Sequence, residues 1–256
     1  RERYGCTLNQ TDHAPLFPFA ASADGFSGHP HDTDVTPASN ANHAPAQHAE
    51  TKPALQAALN TAFAEPPEGG RNTLAVIVMH RGEVVAEQYG APVTATTPMQ
   101  GWSMNKSLMA TFIGRQVDQG NLDLDGPVVS ALQAAGAGSR TLGKVDPRLT
   151  LRHLLSMTTG FDFSERYFPG DDVTDMLYRQ PGMWLSAPDT GHAQPVGKQW
   201  AYSSGDINTA SLVWQQSLLG ESYLHWIQRE FIEPLTLQEI VLEPDASGVQ
   251  VVLAMR

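Results

Sequence analysis

Cysteine is almost absent from this sequence: Cys6 is the one example in 256 residues. An internal disulfide and a cysteine-rich zinc site are therefore excluded, and the redox compartment is left unmarked. Basic residues are also scarce, 16 against 27 acidic ones, for a net charge of −11. Such a chain repels phosphate backbones, and no Lys/Arg stripe offsets the repulsion locally, so nucleic acid is not an expected partner. The longest aliphatic run, residues 74–79, falls far short of the roughly 20 apolar residues a membrane-spanning helix needs. The chain opens at Arg1 without an apolar signal core, so no export signal is expected within it.

The remaining composition, 41% hydrophobic and 17% charged, is that of an ordinary globular protein, long enough for one large core or two modest ones. One domain with two lobes is the expectation. Residues 1–50 are rich in Pro, Ala, Ser, Asn, Asp and His and show no sustained period, which reads as an irregular polar leader. Within it His29, His31, Asp32 and Asp34 could ligate a metal, or they could simply be a polar linker, since composition without a scaffold fixes no coordination geometry. Residues 51–256 read as the folded domain.

The spacing predicts an amphipathic helix over 52–63, then strands over 73–80 and 83–89 flanking an Arg81-Gly82 turn. After Trp102 the period changes. Met104, Leu108, Met109, Phe112, Ile113 and Val117 recur at helical spacing up to Gly120, which puts Ser103 at a helix N-terminus. Further helices are expected over 151–157, capped by Thr150 and stopped at Gly160, from about Ile207 to Gly220, and from Ser222 to Glu233.

Chemistry concentrates in two places. Ser103 and Lys106 form S-x-x-K, and positions three apart share a helical face. A serine hydroxyl is a poor nucleophile until a base takes its proton, and a lysine serves only where burial or nearby charge favours its neutral form. The free N–H groups of a helix start would also favour an oxyanion there. With 16 serines and 4 lysines, chance alone supplies about 0.25 such matches in a chain of this length, so the motif by itself could be an exposed Ser and Lys on an amphipathic helix. The second place is Tyr202-Ser203-Ser204, which follows a loop and precedes a helix. Tyr202 could carry protons between Ser103, Lys106 and a leaving group, with Ser204 hydrogen-bonded to a substrate amide. The plainer alternative is a half-buried tyrosine whose hydroxyl is satisfied.

These stretches, with Gly120-Asn121-Leu122-Asp123, Leu149-Thr150-Leu151-Arg152-His153-Leu154-Leu155-Ser156-Met157-Thr158-Thr159-Gly160, Pro195-Val196-Gly197 and Glu233-Pro234-Leu235 in the same order, resemble the penicillin-recognising serine hydrolases: the serine β-lactamase, DD-peptidase and esterase superfamily. The branch is that of class C β-lactamases, family VIII carboxylesterases and 6-aminohexanoate-dimer hydrolases, and the likeness runs over roughly residues 52 to 247.

The resemblance implies an α/β (α+β) fold of the β-lactamase/transpeptidase type, with a helical lobe and an antiparallel sheet lobe. It implies Ser103 as the acylated serine, Lys106 as the lysine beside it, and Tyr202 as the tyrosine of the Y-x-N/S element. Ser204 stands where β-lactamases have asparagine, which shifts the expected substrate toward small-molecule amides or esters and away from β-lactams. Trp102, Ser204 and Tyr167 are the expected substrate contacts. Tyr167 lies with Glu165 and Arg166 in a loop over 161–172 that either borders the cleft or is plain surface. No cofactor and no metal are expected, and a periplasmic or secreted location follows from the resemblance alone.

Relatives continue well past residue 248, whereas the stretch 249–255 does not read as their continuation. The chain is therefore expected to hold the N-terminal two-thirds of the family domain, with an incomplete sheet whose edge could associate with another chain. On that expectation it is either an amide or ester hydrolase, or an impaired or ligand-binding relative lacking one wall of the site.

Overall fold

The computed structural model describes residues 52–237 and 240–255, the last three of these by backbone alone. The leader and its His29, His31, Asp32 and Asp34 lie outside the described residues. The chain divides into two compact units, one ending at Met99 and one beginning at Gln100.

The first unit holds helix α1 (Pro53–Phe63) and the antiparallel strands β1 (Ala75–His80) and β2 (Glu83–Tyr89). Pro53 begins α1 because its missing N–H would have no acceptor in the first turn. The two strands pair from Ala75↔Tyr89 to His80↔Glu83, with a register shift between Val78 and Met79. At the turn both Arg81 (φ 54°) and Gly82 (φ 83°) take left-handed conformations, the geometry that matches the twist of a two-residue hairpin.

The second unit is mainly helical. Its elements are α2 (Asn105–Asp118), α3 (Val128–Ala134), α4 (Ser139–Leu142), α5 (Leu151–Leu155), α6 (Asp172–Arg179), α7 (Ser186–Thr190), α8 (Ser204–Gln216) and α9 (Tyr223–Ile227), followed by strands β3 (Leu242–Pro244) and β4 (Gln250–Met255). Among the described residues, no helix is long and apolar enough to cross a membrane.

Helix α8 is the axis of this unit. Eleven of its thirteen residues are buried, with α2, α3, α5, α6, α7 and β4 packed around it. A helix covered on all faces cannot show a clean apolar stripe. Its polar residues must therefore find partners inside: Asn208 Nδ2 donates to the Ser204 carbonyl at 3.0 Å, Thr209 Oγ1 to the Trp184 carbonyl at 2.8 Å, and Ser211 Oγ to the Gln250 carbonyl at 2.7 Å. Beneath it lies an aromatic cluster in which the Phe112 ring is 5.4 Å from Trp214, 5.8 Å from Trp226 and 5.0 Å from Phe231.

Several sequence expectations need correction. Ser103 does not begin the helix: it sits in a 3₁₀ turn over Trp102–Met104 that feeds α2, whose first residue is Asn105. Tighter winding of this kind is frequent at helix starts. Thr150 does hold the N-cap position of α5, its N–H donating to His153 Nδ1 at 3.2 Å. The helix stops at Leu155 rather than 157, because Met157 turns left-handed (φ 54°). Gly160 (φ 74°) lies beyond it, just before the bridge that pairs Phe161 with His192. Helix α8 ends at Gln216, short of Gly220, and the segment after Ser222 is α9 followed by π-type winding over Gln228–Ile232. Within residues 249–255, read as a tail unlike the family, Gln250–Met255 form β4, which pairs with β3 and packs on α8.

The aromatic cluster gives a stability prediction. Trp214→Ala should lower the unfolding free energy by about 3–5 kcal/mol, read as a lower urea midpoint at unchanged slope. A loss under about 1 kcal/mol would mean the cluster is loosely packed.

Candidate active site

Trp102, immediately before Ser103, holds φ 45°, a backbone state that costs a bulky residue of order 1–3 kcal/mol. The strained 3₁₀ turn presents Ser103 ahead of α2, and one helical turn later Lys106 projects along the same face. Lys106 is only 8% exposed. Its Nζ lies 3.0 Å from Ser103 Oγ and 3.1 Å from Ser204 Oγ.

Tyr202 and Ser204 arrive from the start of α8. Ser203 is the N-cap, accepting from the Asp206 N–H at 3.0 Å and donating its hydroxyl back to the Asp206 carboxylate at 3.0 Å. This reciprocal cap fixes the path of the chain on either side. Tyr202, just before it, reaches Ser103 Oγ with its hydroxyl at 2.7 Å, and its ring centroid lies 4.9 Å from Lys106 Nζ. Residues about a hundred positions apart thus converge on one oxygen. The sequence-expected pair and the sequence-expected tyrosine are brought together, and Ser204 joins them through its contact with Lys106.

The loop over 161–172 is tied down rather than left as plain surface. The Asp171 carboxylate gathers the Phe168 N–H at 3.0 Å, the Ser164 hydroxyl at 3.2 Å and the Arg166 guanidinium at 2.9 Å. Burial works to raise this carboxyl, but the Phe168 N–H and the Arg166 and Ser164 contacts hold it below its ordinary value. Thus fixed, the loop aims Glu165 inward. Glu165 accepts the Ser204 N–H at 2.8 Å, the Ser204 hydroxyl at 2.5 Å and the Tyr167 hydroxyl at 3.3 Å. Tyr167 has φ 62°, and burial, then the Glu165 charge, push its phenol above the ordinary value. Trp102 flanks Ser103 and is partly exposed.

Glu165 was named from the sequence with its loop but given no role, because nothing in Ser164-Glu165-Arg166-Tyr167 distinguishes it from an exposed loop carboxylate. Asp206 was missed. Its carboxyl also accepts the Thr159 hydroxyl at 2.9 Å, and burial, with a further contribution from the Glu165 charge, pushes it up to about 7.

Residues 47–256 match the family model described as Beta-lactamase. The chain belongs to that family. Solved structures share its fold: a protein from Bacillus anthracis assigned provisionally as a 6-aminohexanoate-dimer hydrolase (TM-score 0.59, 14% identity, 78% of this chain and 52% of that one), FmtA from Staphylococcus aureus (0.54, 14%, 74% and 50%), and the octameric penicillin-binding protein homologue from Pyrococcus abyssi (0.51, 17%, 69% and 45%). This Beta-lactamase family chain spans about half the length of these structures. The β-lactamase-type fold expected from sequence, helices with an incomplete antiparallel sheet, is observed, its strands lying in two separate two-stranded sheets.

The buried carboxyls give a pH prediction. Asp206 and Asp245, the latter pushed by burial up to about 6, both lose their protons near pH 4 in an unfolded chain. Between about pH 4 and 7 the folded state therefore holds more protons, so stability falls as pH rises through that window. Carboxylates held low, such as Asp146 at about 2 through its contacts with Arg148, act below it. Asp206→Asn should lose less of its urea midpoint than the parent between pH 5 and 8. Equal losses in the two proteins would remove Asp206 as a cause.

Proposed function

We propose that the chain works as a serine hydrolase that cleaves amide or ester bonds through an acyl-enzyme on Ser103. The observation that carries this reading is the single oxygen Ser103 Oγ lying 3.0 Å from an amine, Lys106 Nζ, and 2.7 Å from a phenol, Tyr202 OH. A nucleophile with a base and a proton carrier both in hydrogen-bond reach meets the geometric requirement for nucleophilic catalysis.

In this mechanism the Lys106 amine takes the Ser103 proton as Oγ bonds to the carbonyl carbon. The carbon–nitrogen or carbon–oxygen bond then breaks, and the departing group takes its proton from Tyr202, which is resupplied by Lys106. Water attacks the ester so formed, with the same groups receiving and returning its proton. Free N–H groups at the start of the Ser103 turn would favour an oxyanion developing there. Trp102 and Tyr167, exposed beside this centre, are assigned to hold the acyl and leaving portions. No metal or organic cofactor enters any step.

Serine at position 204, together with the fold shared with the Bacillus anthracis protein, favours linear amides of the aminohexanoate kind and simple esters over β-lactams and peptidoglycan peptides. A fluorophosphonate or a labelled penicillin tests the centre independently of turnover. Peptide mass spectrometry should find the adduct on Ser103, absent in Lys106→Ala and retained in Lys198→Ala. An adduct on another serine, or equal effects of the two lysine changes, would overturn the assignment.

A further inference from the structure

Lys106 Nζ hydrogen-bonds to two hydroxyls, Ser103 Oγ and Ser204 Oγ. One of these leads on to negative charge: Lys106 Nζ to Ser204 Oγ at 3.1 Å, and Ser204 Oγ to Glu165 Oε1 at 2.5 Å. A serine hydroxyl has one proton and two lone pairs and rotates to suit its neighbours. Between an amine and a carboxylate it has two settings. With its O–H donating to the carboxylate it offers the amine a lone pair; with its O–H donating to the amine it occupies the lone pair that the lysine would use as a base.

We propose that Glu165 is a positioning residue for Lys106: by accepting the Ser204 hydroxyl proton it keeps that hydroxyl turned away from the amine lone pair, leaving the pair free for the Ser103 proton. The inference rests on the Ser103 acyl-enzyme reading above. A carboxylate is suited to this because, ionised, it only accepts. Glu165 is also held where it must be, since its other oxygen takes the Ser204 N–H at 2.8 Å, one of the helix-start donors of α8 that has no partner within the helix. Once Lys106 has become an ammonium, the same Ser204 lone pair accepts one of its N–H groups, with the Glu165 charge one hydroxyl behind. The arrangement thus serves the amine before and after it takes the proton.

Glutamine at 165 keeps the shape but adds a donor. With its oxygen on the Ser204 N–H, its NH₂ faces Ser204 Oγ and turns the hydroxyl proton toward Lys106. Aspartate is shorter but still only accepts. The test measures the second-order rate of Ser103 labelling by a fluorophosphonate in the full chain and in Glu165→Gln, Glu165→Asp, Ser204→Ala and the Glu165→Gln/Ser204→Ala pair, with folding checked by circular dichroism.

Glu165→Gln is expected to slow labelling about a hundred-fold, and Ser204→Ala and Glu165→Asp about ten-fold each. Removing the misdirected hydroxyl should rescue the glutamine variant, so that the pair labels about ten-fold faster than Glu165→Gln alone. A purely supporting role predicts the reverse, with isosteric glutamine tolerated better than aspartate and the losses adding in the pair. Either of those results overturns the proposal. If Glu165→Gln does not fold, an Asp variant as slow as one lacking the carboxylate altogether, Glu165→Ala, overturns it as well. A parent chain that never labels at Ser103 defeats the acyl-enzyme reading, and this inference with it; a parent that labels, with Glu165→Gln unchanged, defeats this inference alone.

Discussion

Lys106 Nζ joins two helices that are far apart in sequence. It is buried on α2 and its hydrogen bonds run to one hydroxyl in the turn that feeds its own helix and one at the head of α8. Leaving a buried amine without acceptors would cost far more than an ordinary hydrogen bond is worth. The starts of α2 and α8 must therefore stay within reach of each other, and much of the helical unit serves that requirement. The aromatic packing of Phe112 on Trp214 clamps the two helices further along. The Ser203–Asp206 cap fixes where α8 begins, and with it the approach of Tyr202 and Ser204.

Burying so much polar material near one helix start has consequences beyond the site. The Asp206 carboxyl supports the cap and the Thr159 hydroxyl, yet it lies in the interior near the Glu165 charge and holds its proton into the neutral range. The backbone strain at Trp102 and Tyr167 also falls beside Ser103 and Glu165. Residues held in costly conformations persist where surrounding contacts over-determine them, as the Asp171 contacts do for the loop.

Much of this was legible in the sequence, for reasons that can be named. The hairpin showed itself because Arg81-Gly82 interrupts two short β-rich runs, and α2 because its apolar residues recur over four turns. Ser103, Lys106, Tyr202 and Ser204 stood out because residue type and spacing together limit what they can do. The short helices α3, α4, α6 and α7 hide because one or two turns give too few repeats to establish a period. The stop of α5 at Leu155 depends on a left-handed Met157, a conformation no residue type announces. Glu165 was hidden for a different reason: its role depends on a contact with a residue 39 positions away, which a local pattern cannot carry.

The account stands on Ser103 becoming covalently acylated during turnover. The most direct measurement is a rapid-mixing experiment with a p-nitrophenyl ester, following p-nitrophenol release and quenching samples in acid for intact mass. The account predicts a burst of about one equivalent per chain followed by a slower steady rate, with an acyl mass increment that maps to Ser103. Linear release from the first milliseconds, with no acylated chain at any time, would contradict it.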